Sequence, residues 1–211
     1  MKKKLYLVGG GGHCNSVIDV VHSSDDYQIV GIVDKQELLG AAVCGVKVVA
    51  TDEDLAGLVE TNSSFLVTVG FTRSPNIRNH LFAKLVQSGA VMATVVSAHA
   101  IVSRHAKIAE GTVAMHGALV NASAVVGRNV IINSKALIEH DALVADHCHI
   151  STGAIVNGGC RVGESVFVGS NAVLAHGVSV ADGTIVGAGS VVVSDITEPG
   201  VYVGNPARKI R

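Results

Sequence analysis

Aromatic side chains are scarce in this sequence, and their scarcity limits the kind of core that the chain can build. Only 3% of the 211 residues are Phe, Tyr or Trp, and Trp is absent. Because protein interiors are close-packed, Val, Ile, Leu and Ala must fill the volume that aromatic rings usually occupy. Such small side chains favour a narrow interior of thin, regular layers. The 24 glycines indicate many tight turns.

Charged residues are also few, and no strongly basic region is present. They make up 16% of the chain, the formal net charge is −1, and the largest basic cluster is Lys2–Lys4. Nucleic-acid binding through phosphate neutralisation is therefore not expected. No apolar run approaches the ~18 residues that a membrane-spanning helix needs. The apolar stretch 5–8 is too short for a signal peptide.

The four cysteines give no sign of a metal site or of disulfide bonds. Their spacings match neither a zinc motif nor a disulfide framework. They are Cys14, Cys44, Cys148 and Cys160. We therefore expect reduced thiols in a cytoplasmic protein without a metal, with Cys148 and Cys160 as small core residues.

A six-residue repeat runs through the C-terminal half of the sequence. From Val102 to Val192, every sixth residue is Val, Ile or Leu in fifteen of sixteen cases, and the exception is Ala114. The residue four positions further on is usually small, as at Ala118 and Cys148. Neither a helical period of 3.6 residues nor a strand period of two explains this strict spacing.

The repeat predicts a parallel β-helix. Three hexapeptides, each a short strand and a corner, close one triangular coil, with the branched side chain pointing inwards and like residues stacked between coils. A purely structural solenoid would need a regular outer face. The outward positions are irregular here and include His140, Asp141, His147, His149 and Asn157. This irregularity argues against a purely structural role for the β-helix.

The first 96 residues do not repeat and alternate between strand and helix patterns. Strands are predicted over 5–8, 29–33, 65–69 and 92–96, and helices over 15–22 and 77–86. This alternation indicates a small parallel α/β domain.

A glycine run follows the first predicted strand and precedes the first predicted helix. Backbone N–H groups of Gly9–Gly12 can approach a phosphate at the positive end of the helix. Asp34, at the end of the second strand, suits a ribose hydroxyl. His13 is atypical of NAD-binding proteins, and the domain has few strands, so the pattern favours a single nucleoside diphosphate over a dinucleotide.

These features together resemble the bacterial nucleotide-sugar N-acetyltransferases, which belong to the hexapeptide-repeat acyltransferases. The resemblance rests on Gly9–His13, Asp34, the segment from Ile138 to Asp141, His149 and the tail 200–207. It implies an α/β Rossmann-like domain over 1–96 that binds the nucleotide sugar. It further implies a left-handed β-helix over 97–196, a hand opposite to the usual crossover rule, and a tail over 197–211 near the acetyl-CoA site.

The resemblance also implies the reaction and the residues that carry it. The acetyl group of acetyl-CoA would pass to the amine of a nucleotide-linked 4-amino-4,6-dideoxy sugar, for bacterial surface glycan or glycoprotein synthesis. His140 matches the general base and Asp141 its hydrogen-bonded neighbour. The substrate-binding residues would be Gly10, Gly11, Gly12, His13, Asp34 and Asn133. The acetyl-CoA-binding residues would be His149, Gly158, Ala188 and Pro206.

The chemistry of the reaction agrees with this reading of the histidines. An ammonium must lose a proton before it attacks a thioester, and a histidine with a pKa near neutrality suits that task. His149 lies nine residues after His140, half of a coil, so the two face different sides. They can line one cleft only if another subunit packs against the β-helix, which predicts a homotrimer with active sites between subunits. His99, His105 and His116 are read as solvated surface residues.

Two other enzymes and a non-catalytic nucleotide-sugar-binding or regulatory module remain as alternatives to this interpretation. An O-acetyltransferase acting on a sialic acid or a related sugar would differ only in its acceptor, a hydroxyl instead of an amine. A γ-class carbonic anhydrase uses the same β-helix, but it needs three histidine zinc ligands, and the pair His147 and His149 lacks the companion spacing. The residues leave the base of the nucleotide open among UDP, dTDP and GDP.

Overall fold

The N-terminal part of the chain folds around a six-stranded sheet. A computed structural model describes residues 2–59 and 63–211. The strands lie in the order β3-β4-β2-β1-β5-β6, and all neighbours are parallel except β3 and β4. They are β1 (Lys3–Val8), β2 (Tyr27–Asp34), β3 (Ala42–Val43), β4 (Val46–Thr51), β5 (Ser63–Val67) and β6 (Val91–Met92).

Helices cover both faces of this sheet. They are α1 (Gly12–His22), α2 (Leu55–Leu58) and α3 (Asn76–Gln87), with a 3-10 turn over Gln36–Leu38. Val17, Ile18 and Val21 recur at helical spacing on α1 and pack with Leu5 and Leu7 on one face. Leu81 and Leu85 of α3 pack with Phe65 and Val67 on the other face. None of the described helices is long and apolar enough to cross a bilayer.

The C-terminal part is a left-handed β-helix of three parallel sheets, in which each strand pairs with the strand one coil further along the chain. The first sheet contains β7 (Val95–Val96), β10 (Val113–Ala114), β13 (Ile131–Ile132), β16 (His149–Ile150), β19 (Phe167–Val168), β22 (Ile185–Val186) and β24 (Val201–Val203). The second contains β8 (Ile101–Val102), β11 (Leu119–Val120), β14 (Leu137–Ile138), β17 (Ile155–Val156), β20 (Val173–Leu174) and β23 (Val191–Val192). The third contains β9 (Lys107–Ile108), β12 (Val125–Val126), β15 (Leu143–Val144), β18 (Arg161–Val162) and β21 (Ser179–Val180). A last strand, β25 (Arg208–Lys209), pairs antiparallel with β24.

The interior of the β-helix consists of the residues that the repeat predicts. Every member of the apolar series is buried except Val102 and Ile108, which lie near the N-terminal end of the prism and are partly buried. Small residues four positions later, such as Ala118, Cys148 and Cys160, are also buried in this core. The layers are therefore thin and aliphatic, as the shortage of aromatic residues predicts.

The corners of the β-helix place one residue in six in the left-handed backbone region. From Gly111 to Gly189, every sixth residue has φ between 55° and 75°. Half of these positions are glycine, and the others are Ser123, Asn129, Lys135, Asp141, His147, Ser165 and Asn171. Asn, Asp and His adopt this region more readily than other side chains. The six-residue repeat therefore accounts for the position of Asp141 on a corner.

Several predicted boundaries differ from the structure. The strand expected over 92–96 is two strands, since Val91–Met92 pairs with β5 and Val95–Val96 pairs with β10 of the β-helix. The strand expected over 65–69 runs from Ser63 to Val67. Helix α1 begins at Gly12, three residues earlier than its apolar spacing indicates.

Candidate active site

The glycine run forms one wall of a cleft at the carboxyl edge of the N-terminal sheet. Gly9 has φ of 103°, and a Cβ there would overlap the side chain of Val69. The Gly10 N–H donates to Asp34 Oδ2 at 2.5 Å. Gly11 precedes the first turn of α1, and a Cβ on Gly11 or Gly12 would meet open space. No side chain of Gly11 or Gly12 therefore separates the backbone of this turn from the cleft.

Five of the predicted substrate-binding residues line this one cleft of about 500 Å³. They are Gly10, Gly11, Gly12, His13 and Asp34. The remaining lining residues are Gly9, Lys35, Leu38, Asp52, Thr68, Val69, Gly70, Ile77 and Leu81. The volume falls within the range of small-molecule sites. Sequence reasoning missed Asp52 and Ile77, because neither belongs to a recognisable motif.

His149 lies where the N-terminal domain packs on the β-helix. Its Nδ1 donates to the carbonyl oxygen of Phe71 at 2.7 Å, and its Nε2 accepts from Asn133 Nδ2 at 3.1 Å. The His13 ring lies 6.4 Å from the His149 ring, centroid to centroid. The fold thus brings His13, Asn133 and His149 together, although they come from two domains.

Burial keeps both of these histidines neutral. Burial, together with smaller contributions from the nearby Arg78 cation and His149, lowers the pKa of His13 to about 3. Burial also lowers the pKa of His149 to about 4, against the hydrogen bond to Phe71, which raises it. His13 Nε2 is shielded from solvent and has no hydrogen-bond partner among the described residues. A polar ligand group could supply that partner.

A pH titration should reveal the burial of His149. Its pKa in the folded state lies below the ordinary 6.5, so the unfolded chain takes up its proton first as pH falls. We expect the free energy of unfolding to be highest above pH 6.5 and to fall towards pH 4. Between pH 8 and pH 5, His149 alone should account for about 2 kcal/mol.

Urea unfolding at both pH values measures this loss, and a His149→Gln variant should show a correspondingly smaller one. Equal losses in the variant and the wild type would contradict the neutral assignment.

Arg78 is a second buried group at this junction. Its side chain is 1% exposed. Its Nη1 donates to the carbonyl oxygens of Val67 and Val69 at 2.6 and 3.0 Å, and its Nε donates to that of Asn129 at 3.2 Å. It therefore joins the end of β5 to a corner of the β-helix. A helical pattern gives no signal for such a residue, because arginine is almost never fully buried unless it is paired.

His140 and Asp141 form an exposed pair on the corner between the second and third sheets. The His140 Nδ1 lies 2.8 Å from Asp141 Oδ2. The hydrogen bond that His140 donates to Asp141 raises the pKa of His140 above its ordinary value. With Nδ1 donating to the carboxylate, Nε2 carries the lone pair and is left as an acceptor beside Gly158. This is the arrangement that a general base needs.

Gly158 lies one coil beyond His140 on the same corner and leaves a gap between two imidazole rings. A Cβ there would come within 2.9 Å of His140 Nε2 and 3.2 Å of His176 Nδ1. The two rings are 6.4 Å apart. The missing side chain opens a narrow space directly beside the proposed base.

Ala188 and Pro206 lie apart from that gap. Ala188 is exposed on the corner between the first and second sheets, and its N–H is so close to Gly169 that a Cβ on Gly169 would come within 2.5 Å. Pro206 is exposed in the tail, which hydrogen-bonds to the last coil through Ala207 N–H and the Val191 carbonyl oxygen at 2.8 Å. Within one chain, the predicted site residues therefore fall on three separate parts of the surface.

His116 is not a freely solvated side chain, contrary to its sequence reading. Its Nδ1 lies 2.6 Å from Ser97 Oγ, and its Nε2 lies 2.9 Å from Asp19 Oδ2 of α1. It thus connects the first coil to the N-terminal domain. The six-residue period could not reveal this contact, because Asp19 lies outside the repeat.

Comparisons with known proteins agree with this two-part architecture. The model of the PglD N-terminal domain matches residues 4–85, and that of the bacterial transferase hexapeptide (six repeats) matches residues 159–194. No curated protein matches the sequence.

Several solved structures match over the whole chain. The acetyltransferase domain of PglB from Neisseria gonorrhoeae, in complex with acetyl coenzyme A, is 31% identical, with a TM-score of 0.92 and coverage of 100% of both chains. PerB from Caulobacter crescentus, in complex with CoA and GDP-perosamine, is 32% identical, with a TM-score of 0.90 and coverage of 99% of this chain and 97% of that one. WeeI from Acinetobacter baumannii is 21% identical with a TM-score of 0.85, and the match covers 98% of this chain and 99% of that one, which shows the shared fold.

A glycine turn at the edge of a parallel sheet, joined to a hexapeptide β-helix with an exposed His–Asp pair, defines a two-domain acyltransferase. The chain belongs to the bacterial nucleotide-sugar N-acetyltransferases of the hexapeptide-repeat superfamily. The predicted fold and enzyme class are thereby confirmed.

Proposed function

We propose that this enzyme transfers the acetyl group of acetyl-CoA to the amine of a nucleotide-linked 4-amino-4,6-dideoxy sugar, for bacterial surface glycan or glycoprotein synthesis. The observation that carries the proposal is the cleft of the N-terminal domain. Its glycine turn suits a diphosphate, and its other end reaches His13 beside Asn133 and His149 of the β-helix. The structure of the acetyltransferase domain of PglB contains acetyl coenzyme A, and that of PerB contains CoA and GDP-perosamine.

The order of the strands determines how the substrate would lie along the edge of the sheet. Sheet neighbours β2, β1 and β5 present Asp34, the glycine turn and Thr68–Gly70 along one edge. A ribose at Asp34 and a diphosphate at Gly10–Gly12 would leave the sugar beyond β1, on the side of His13. The buried, neutral His13 would then meet a sugar hydroxyl through its unpartnered Nε2 and would carry no charge.

His140 would remove the proton from the sugar amine. Its Nε2 accepts the proton as the amine nitrogen bonds to the acetyl carbonyl carbon, while Asp141 holds Nδ1 and stabilises the imidazolium. The C–S bond then breaks, and the thiolate leaves and is protonated. Acetyl-CoA supplies the activated acyl group. The gap at Gly158 suits its narrow pantetheine arm, and Ala188 and Pro206 would contact the rest of the molecule.

The separation of these groups within one chain supports a trimer with shared sites. The third sheet borders the corner that bears His140, and its outer face holds an open groove of about 700 Å³ lined by Val125, Leu143 and Ser179. A second copy of the chain packed there would lie next to His140. We propose that each active site combines the cleft of one subunit with the His140 corner of a neighbour.

Mixing two variants, each almost inactive when the nucleotide sugar is kept well below its wild-type KM, tests the shared site. Refolding His140→Ala together with Gly11→Val should restore activity, because some sites then combine an intact cleft with an intact base. Each variant refolded alone is the control, and sedimentation of the wild type should show a trimer. A monomer at micromolar concentration, or a mixture as inactive as its parents, would exclude the shared arrangement.

The acceptor group decides between amine and hydroxyl chemistry. Incubation with acetyl-CoA and a nucleotide-linked amino sugar should release free thiol and form an amide that resists mild alkali. An ester, which mild alkali cleaves, would instead identify an O-acetyltransferase acting on a sialic acid or a related sugar. No thiol release with any nucleotide-linked amino sugar would contradict the proposal. We further propose that the enzyme works in the cytoplasm, where its four free cysteines would stay reduced.

Replacement of Gly11 should weaken substrate binding without disturbing the fold. A side chain there would point into the open cleft, since no atom lies within 4 Å of an added Cβ and φ is −74°. We expect Gly11→Val to raise KM for the nucleotide sugar by about 10–100-fold, the effect of losing a hydrogen bond to a charged group. The KM for acetyl-CoA should stay unchanged.

Steady-state kinetics with each substrate varied in turn measure this difference. Gly11→Ser is the matched control, because its small side chain strengthens the start of α1 and blocks less of the cleft. An unchanged sugar KM in Gly11→Val would remove the phosphate site.

A further inference from the structure

The cleft continues beyond the glycine turn and Asp34 to a third position on the carboxyl edge of the sheet, which Asp52 occupies. Asp52 follows directly after β4, which pairs with β2 on the side away from β1. Neighbouring strands lie about 4.8 Å apart, so the glycine turn, Asp34 and Asp52 follow one another in steps of about 5 Å. Phosphate, ribose and base follow in the same order along a nucleotide. The base of a nucleotide bound as proposed above would therefore reach Asp52.

The surroundings of Asp52 suit a flat heterocycle. Leu38 and Ile77 line the cleft with side chains that are 43% and 68% exposed in the free enzyme. The Lys84 ammonium donates to the backbone carbonyl of Asp52, which holds this end of β4 against α3. Among the described residues, the Asp52 carboxylate accepts no hydrogen bond. Two apolar side chains and one free carboxylate thus lie at the expected position of the base.

The negative charge of the Asp52 carboxylate repels an anionic diphosphate bound in the same cleft. At a distance of about 10 Å, one Debye length at 0.1 M salt, the repulsion is small but still opposes binding. A base that donates hydrogen bonds to the carboxylate would reverse this effect, because bonds to charged groups are the stronger ones. The carboxylate can only accept, so it selects a base with adjacent donors.

We propose that this subsite recognises guanine and that the substrate is a GDP-linked amino sugar, an inference that rests on the proposed function. Guanine presents N1–H and the N2 amino group side by side, which matches both oxygens of Asp52. Uracil and thymine present one N3–H between two carbonyl oxygens, which would face the carboxylate unfavourably. Adenine places an acceptor, N1, next to its amino group.

Calorimetric titration with nucleoside diphosphates tests the base directly. The wild-type enzyme should bind GDP about 10–100-fold more tightly than UDP or dTDP, the usual effect of hydrogen bonds to a charged group. Inosine diphosphate lacks the N2 amino group and should bind several-fold more weakly than GDP. Equal or tighter binding of UDP or dTDP would overturn the guanine assignment and leave the proposed function intact. No binding of any of these diphosphates would overturn the nucleotide cleft and the proposed function with it.

Asp52→Asn separates hydrogen bonding from charge, because the two effects have opposite signs. Removal of a negative charge alone should strengthen the binding of every diphosphate. We expect GDP to bind at least tenfold more weakly instead, and the preference for GDP over inosine diphosphate to shrink.

Glu53→Gln is the matched control, since it removes the same charge from an exposed neighbour that does not line the cleft. It should leave the preference for GDP unchanged. Tighter binding of GDP by Asp52→Asn, or the same change in both variants, would contradict the contact.

Discussion

His140→Ala should lower kcat by roughly 10²–10⁴-fold, the usual range for loss of a general base. Acetyl-CoA affinity should change little, because the imidazole acts on the acceptor amine. The matched control is His176→Ala, which removes the other exposed ring beside Gly158 and leaves the His140–Asp141 pair intact. A His140→Ala variant with near-wild-type kcat at pH 7 would show that the base lies elsewhere, with His149 or His147 as the next candidates.

The dependence of kcat on pH provides a second test of this assignment. Only the neutral imidazole can accept a proton, so the wild-type kcat should fall as pH drops through the pKa of His140. Since Asp141 raises that pKa, Asp141→Asn should move the acidic limb of the profile to lower pH and should cost less activity than His140→Ala. High pH should partly rescue His140→Ala, because free amine then forms without a base.

Arg78→Met should destabilise the protein by several kcal/mol, because each buried acceptor that loses its donor costs about 1–3 kcal/mol. The substitution leaves the carbonyl oxygens of Val67, Val69 and Asn129 without their donor in a dry environment. Arg78→Lys should recover only part of the loss, since an ammonium lacks the planar fork that reaches several acceptors. Urea unfolding measures the change in the free energy of unfolding.

Arg73→Met is the control for this substitution, because Arg73 is exposed and should change stability by no more than about 0.5 kcal/mol. The Arg78 cation also lowers the pKa of His13. An NMR titration of Arg78→Met should therefore find the pKa of His13 above its wild-type value. A variant as stable as the wild type would mean that water satisfies the three carbonyls.

Sequence reasoning reaches furthest where structure is periodic. The inward position of Ile138 or Val156 follows from the spacing alone, because each coil repeats the environment of the last. Strand β4 escaped prediction although Val46–Thr51 contains an alternating segment. The break between Val91–Met92 and Val95–Val96 depends on which sheet each pair joins, and that choice is made by tertiary contacts.

Some residues of the candidate site follow from the repeat, and others are brought together only by tertiary packing. Because every coil holds three hexapeptides, stacking brings His140, Gly158 and His176 to one corner, and their proximity follows from counting. The meeting of His13 with His149 depends on how two domains pack, and no local pattern encodes it. Asp52 carries no motif at all, and only the strand order β4-β2-β1 places it beside the glycine turn.

The closure of each coil by three hexapeptides also determines how this chain can change in length during evolution. One added residue would turn the following inward side chains outwards, and one added hexapeptide would move every later row to the next corner. Only a whole coil preserves the rows, and it lengthens the prism by about 4.8 Å. A coil duplicated after His176 would leave the His140–Gly158 corner intact, whereas one duplicated between them would draw the base away from its gap. Relatives of different length should therefore differ by whole coils, at positions outside that interval.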